Sequence, residues 1–244
     1  MSITAPAAPR RIFTSDNTAV TAAATGQDLP YGADQLTASA RARFTDVFEH
    51  DVDILPGSTG SAANALSLAT LTPPWGSVLC HRDSHITTDE CGAPEFYTGG
   101  AKLVPLPGDD ARIDPGALHT AAHRKTGDVH SVQPSALSIS QATETGTLYT
   151  PDEIRELART AKDAGLRVHM DGARFAGAVA ALGCTPAELT WQAGIDILSF
   201  GATKNGTMTA DAIIVFDRTL TPELSFRAKR AGQLTVRSHC CCGR

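Results

Sequence analysis

Asp171 and Lys204 are the residues around which chemistry can be built. Each follows a short apolar run, Leu166 to Met170 and Ile195 to Phe200, with the length and composition of a buried strand. In an open α/β sheet, positions just past the carboxyl ends of the strands face the crevice where ligands bind. A carboxylate and a lysine converging there point to pyridoxal phosphate, with Lys204 forming the Schiff base and Asp171 facing the pyridinium nitrogen. Lysine does that work when its surroundings lower its proton affinity toward neutrality. Gly201 and Gly206 flank Lys204 and would let the backbone approach a ligand closely. Ordinary explanations compete. Most lysines sit in surface loops, Asp171 could cap a helix starting at Gly172, and Arg174 has the i,i+3 spacing to pair with it. They leave the other polar residues at strand ends unexplained.

Those residues fall into place around the same cofactor. Gly57 to Asn64 is a small-residue turn between a short strand, Val52 to Leu55, and an apolar helix running to about Leu71. A helix N-terminus there offers free N–H groups to an anion, so Gly60, Ser61 and Ala62, with Thr203, are expected to hold the phosphate. His85 and Glu90 follow the strand Ser77 to Cys80, and His85 is placed to stack on the ring. Gln141 to Gly146, which carries Glu144, follows the strand Ala136 to Ser140. Arg174 could hold a substrate carboxylate or balance the phosphate charge.

The elements that must position these residues alternate. Asp34 can cap a helix to about His50, Lys102 to Leu106 reads as a strand, and Asp114-Pro115 opens a helix to about His123. Thr150-Pro151-Asp152-Glu153 is a capping box with proline at the first helical position, and Ile154, Leu157, Ala158 and Ala161 keep helical spacing until Gly165. Thr185 to Glu188 repeats the device before Trp191; Asp211 to Phe216 is the last strand, and a final helix begins near Pro222. Strands alternating with helices imply βαβ units and a mainly parallel sheet in one continuous domain.

Composition narrows the classes. The net charge of −5 gives no footprint for nucleic acid or an anionic membrane, and no apolar run has the length of a membrane span. Residues 1–12 lack the apolar core of a secretory signal and read as a disordered leader. Cys80, Cys91 and Cys184 are scattered, which suits a reducing cytosol, while Cys240 to Cys242 lack metal-ligand spacing, so no metal is expected.

Several segments are more specific than this. Met170 to Trp191, Asp196 to Gly206, Ser140 to Ile154 and Thr87 to Phe96 resemble the threonine aldolases, and more closely the low-specificity L-threonine aldolase branch of the β-eliminating lyase family. Phe13 to Asn17, Tyr31 to Asp34 and Thr59 to Asn64 share the similarity, which runs from about Phe13 to Thr235. The resemblance implies the large domain of the aspartate-aminotransferase fold: a mainly parallel seven-stranded sheet with helices on both faces and one late antiparallel strand. It implies pyridoxal phosphate on Lys204, Asp171 at the ring nitrogen and His85 over the ring, with Ser15 and Tyr31 lining the substrate site. It also implies a homodimer or homotetramer completing its sites across an interface. The implied reaction is cleavage of L-threonine or L-allo-threonine to glycine and acetaldehyde, with Glu144 and His85 competing as the base. A related lyase acting on other β-hydroxy amino acids, such as phenylserine, fits the same residues.

The family continues into a smaller C-terminal domain that supplies a further arginine for the substrate carboxylate. This chain follows the family to Thr235 and then turns to an irregular tail, residues 236–244. The expectation is a domain spanning residues 13–235 with the small domain missing. The alternative to an active enzyme is therefore an inactive fragment that binds the cofactor or a partner subunit.

Overall fold

The computed structural model describes residues 32–205 and 211–234. Ser15, Tyr31, Gly206, the leader and the tail lie outside the described residues. In chain order the elements are α1 (Gln35–Phe48), β1 (Asp53–Gly57), α2 (Gly60–Leu71), β2 (Gly76–His81), α3 (His85–Thr88), α4 (Ala93–Thr98), β3 (Lys102–Leu106) and α5 (Pro115–Ala122). There follow β4 (Gln133–Ser140), α6 (Pro151–Asp163), β5 (Arg167–Gly172), α7 (Phe175–Leu182), β6 (Ile197–Gly201), β7 (Asp211–Val215) and α8 (Thr221–Arg230). Short 3₁₀ turns occupy Trp191–Ala193, Thr203–Asn205 and Arg218–Leu220.

The strands form one seven-stranded sheet in the order β1-β7-β6-β5-β4-β2-β3. Pairing is parallel from β3 through β6, and β7 runs antiparallel to both β6 and β1. This is the mainly parallel sheet with one late antiparallel strand that the resemblance implied. Helices cover both faces, because alternate residues of a strand point to opposite sides. Leu79, Leu137, Val168, Met170, Leu198 and Ile214 join one apolar cluster. Their neighbours Val78, Ala136, Ile197, Ile213 and Val215 join the other, with Leu66 and Leu68 of α2. His169 and Asp171 alternate with Val168 and Met170, so they share the sheet face covered by α2.

Local signals explain most boundaries. Asp34 accepts hydrogen bonds from Thr37 N at 2.9 Å and Thr37 Oγ1 at 2.7 Å, opening α1. At α6 the capping box forms in full: Glu153 N donates to Thr150 Oγ1, and Thr150 N donates to Glu153 Oε2. Behind it Ile154, Leu157, Ala158 and Ala161 are buried, and burial of the isoleucine and leucine contributes roughly 1.5–3 kcal/mol each. Gly165, at φ +81°, supplies the left-handed turn that stops the helix.

Two expectations are corrected. Thr185 and Glu188 exchange the capping-box bonds at 2.8 and 3.1 Å, yet no α-helix follows. Thr190 turns back on Pro186 through its hydroxyl at 2.6 Å. Trp191 is drawn to Phe48 O at 2.8 Å, and only the 3₁₀ turn fits before Gly194. β4 begins at Gln133 rather than Ala136, because Pro134 sits where the register with β2 slips, a position that tolerates a missing N–H.

Candidate active site

A cleft at the carboxyl ends of β4, β5 and β6 is lined by Gly60, Ser61, His85, Glu144, Asp171, Arg174, Thr203 and Lys204. The backbone makes this convergence possible through two glycines. A Cβ on Gly201 would lie 2.8 Å from Ala173 Cα and 3.0 Å from its carbonyl oxygen. One on Gly172 would meet Leu198 Cδ1 at 2.6 Å and Ser199 O at 3.0 Å. Glycine at both positions lets the turn after β5 press against the end of β6, which sets the Asp171 turn beside the lysine turn. The close approach at Gly201 is therefore to protein backbone, not to a ligand as expected.

Asp171 lies within β5, opposite Ser140 of β4 and Ser199 of β6, and is 7% exposed. It does not cap a helix, since α7 starts at Phe175, and it has no ion pair with Arg174. Its Oδ1 accepts from Ala173 N at 3.0 Å, and its Oδ2 accepts from Asn64 Nδ2 at 2.9 Å. The same Asn64 nitrogen donates to Glu90 Oε1 at 2.8 Å, which also lies 2.9 Å from His85 Nδ1. His85, Glu90 and Asp171 thus bring ligand-type atoms within 4.8 Å of one another, a proximity their hydrogen bonds account for. Burial raises the Glu90 carboxyl above its usual range, while the bonds from Asn64 and His85 oppose the shift.

Glu144 occupies the loop after β4. Gln141 pins that loop, with its side chain bonding Tyr149 O at 2.8 Å and Tyr149 N at 3.1 Å. Glu144 Oε1 accepts from Ser140 Oγ at 2.8 Å and His85 N at 2.9 Å, leaving its buried Oε2 without a partner. A buried acceptor in that state awaits a donor.

At α2, Thr59 caps the helix by accepting from Ala62 N at 3.1 Å. The Ala62 N–H thus has an acceptor within its own helix cap. Gly60 and Ser61 line the cleft, and a Cβ on Gly60 would meet nothing within 4 Å. Open space over a helix N-terminus suits an anion. Thr203 hydrogen-bonds Asp211, whose carboxyl is raised by burial and opposed by Lys204. Asn64, Ser140 and Asp211 line the cleft as well. Their roles were missed, for Asn64 because its partners lie far away in sequence.

Behind Asp171 lies a polar seam. His169 is fully buried, with Nδ1 2.9 Å from Ser138 Oγ and Nε2 2.9 Å from Ser199 Oγ. Burial lowers its pKa to about 4, and the Asp171 charge opposes that shift.

The chain matches the family model for beta-eliminating lyases over residues 14–241. It belongs to that family. It is 46% identical over 209 residues to a low specificity L-threonine aldolase of a Pseudomonas species, and 44% identical to that of Pseudomonas aeruginosa. Both matches cover 86% of this chain and 60% of the relative, so the chain spans about 60% of the length of these curated relatives. The threonine aldolase structure from Leishmania major superposes with a TM-score of 0.80 at 28% identity, covering 91% of this chain and 65% of that one. Among the described residues no helix is long and apolar enough to cross a membrane.

Proposed function

We propose that the cleft binds pyridoxal phosphate and serves the cleavage of L-threonine or L-allo-threonine to glycine and acetaldehyde. The observation that carries this reading is one cleft holding Lys204, Asp171 and the open N-terminus of α2 together. The donor set fits the cofactor: an amine for its aldehyde carbon, a carboxylate for a protonated ring nitrogen, and backbone N–H groups for its phosphate. When bound, the cofactor supplies a ring that accepts the electron pair of the breaking Cα–Cβ bond.

The chain's own residues do the rest. Lys204, which lines the cleft, would hold the cofactor through Nζ. Asp171, held by Asn64 and Ala173 N, would keep a proton on the ring nitrogen. Gly60 and Ser61 N–H groups, with Thr203, would hold its phosphate, and His85 would pack over its ring. Arg174, exposed at the cleft, holds the substrate carboxylate. Glu144 Oε2, the unpartnered acceptor, takes the β-hydroxyl proton, in line with general-base catalysis by a desolvated carboxylate. Ser15 and Tyr31 complete the substrate side. Homo-oligomer formation and a cytosolic setting belong to the same reading; Cys80, Cys91 and Cys184 are free thiols.

The test has two steps. Added pyridoxal phosphate gives a visible absorption band that Lys204→Ala abolishes, and L-threonine then releases acetaldehyde and glycine. A folded chain that stays colourless sinks the proposal. A coloured chain without aldehyde release supports the alternative of a chain that binds the cofactor without turnover.

A further inference from the structure

We infer that Glu90 is a positioning residue that locks His85 as the Nδ1–H tautomer, leaving Nε2 as the ring's free acceptor at the cleft. This rests on the reading of the cleft as the cofactor site.

The Glu90 side chain is fully enclosed, and His85 is its ion-pairing partner among the described residues. A buried carboxylate is costly unless its partners require it, and both partners here belong to the cleft. Glu90 Oε1 receives Asn64 Nδ2 at 2.8 Å and lies 2.9 Å from His85 Nδ1. Both Asn64 amide hydrogens are spoken for, one on Glu90 and one on Asp171. Asn64 therefore fixes Glu90 Oε1 as an acceptor, and the proton between Glu90 and His85 sits on Nδ1. An imidazole free in water prefers the other tautomer, with the proton on Nε2, so the protein imposes this one. The other end of the residue is fixed too, since His85 N donates to Glu144 Oε1 at 2.9 Å. The turn that brings Glu90 inward uses two consecutive left-handed residues, Cys91 at φ 51° and Gly92 at φ 75°. A carboxylate behind a histidine sets which ring nitrogen faces the chemistry. Burial of Glu90 raises its carboxyl, and the bonds from Asn64 and His85 oppose that rise.

The consequence concerns the division of labour. His85 then presents no N–H at Nε2, so it accepts a proton or hydrogen bond at the cleft and donates none there. Asn64 extends the same strut to Asp171, linking the His85 ring with the Asp171 carboxylate.

The test uses the full chain without cofactor, labelled with ¹⁵N-histidine, the His85 signals being assigned by their loss in His85→Gln. The expected spectrum shows His85 protonated on Nδ1 and bare on Nε2 at neutral pH. Glu90→Leu moves the proton to Nε2, whereas Glu90→Gln, whose amide oxygen accepts the same bonds, retains it on Nδ1. A parent chain protonated on Nε2, or a Glu90→Leu spectrum with Nδ1 still protonated, overturns the assignment. If Glu90→Leu fails to fold, the parent and Glu90→Gln spectra still decide. With cofactor added, Glu90→Leu weakens its binding by about 10- to 100-fold, the worth of one charge-assisted hydrogen bond. A chain that stays colourless yet shows the Glu90-dependent Nδ1–H ring supports this assignment while sinking the cofactor reading.

Discussion

Asn64 of α2 donates to Asp171 Oδ2 at 2.9 Å, so a helix on one face of the sheet holds a carboxylate that belongs to β5. The same nitrogen reaches Glu90, and the amide separates two acids that would otherwise repel each other. Replacing Asn64 with alanine removes both bonds. The expected cost is about 1–3 kcal/mol for buried acceptors left unpaired, measured by urea unfolding at pH 7. Weaker pyridoxal phosphate binding accompanies it. An Asn64→Ala chain as stable as the parent contradicts this account.

Gly201→Ala tests whether the contact between the two turns sets the cleft. Its Cβ would meet Ala173 backbone, which cannot step aside as a side chain would. The expected loss of stability is about 1–3 kcal/mol, and displacing Lys204 by even an ångström lowers turnover about 10²-fold. Gly177 of α7 is the control, because a Cβ there meets nothing within 4 Å. Gly177→Ala leaves the cofactor band unchanged and stabilises the chain by about 0.5–1 kcal/mol.

Glu144→Gln separates the two candidates for the base. The glutamine oxygen can keep the bonds from Ser140 Oγ and His85 N, so the loop stays in place while the proton acceptor is lost. Turnover of L-threonine falls by about 10²- to 10⁴-fold, with cofactor binding intact. Unchanged turnover transfers the role to His85.

His169 gives the chain an acid-side weakness. Burial depresses its folded pKa to about 4 from an ordinary 6.5, so the unfolded chain binds the extra proton and stability rises with pH across that interval. The stability is fully present above about pH 6.5 and is lost as pH falls toward 4, by roughly 3 kcal/mol at the lower end. Urea midpoints at pH 7 and pH 5 should differ in that direction. His169→Asn is expected to lower stability at pH 7 and flatten its pH dependence. A parent chain equally stable at both pH values would falsify this.

Much of the architecture was legible because its signals are local. The Thr150–Glu153 box and the spacing from Ile154 to Ala161 specify α6 within a few residues, and the structure shows every one of those buried positions. The joining of the seven runs into one sheet and the antiparallel course of the last strand came instead from the resemblance, and the strand order from neither, since periodicity alone does not say which strands are neighbours. The segment after Thr185 misled because a cap reports only that a helix can begin. Trp191 bonding to Phe48, far away in sequence, decided that it would not continue. The polar links of the cleft were hidden for the same reason. Asn64 meets Glu90 and Asp171 across long sequence separations, and no spacing within α2 announces it. At Ala62 the small-residue helix start suggested an open N–H, and the structure pairs it with Thr59 Oγ1.

The antiparallel course of β7 also bears on how the lysine can come loose. Gly201 and Asp211 face each other on the β6–β7 rung, and β7 is itself bracketed by β1. Both anchors of the Lys204 connection are therefore interior to the sheet. Hydrogen exchange at Ile213 and Ile214 should accordingly be as slow as at Leu198, so that detachment of the lysine connection requires cooperative opening of the sheet rather than fraying of an edge.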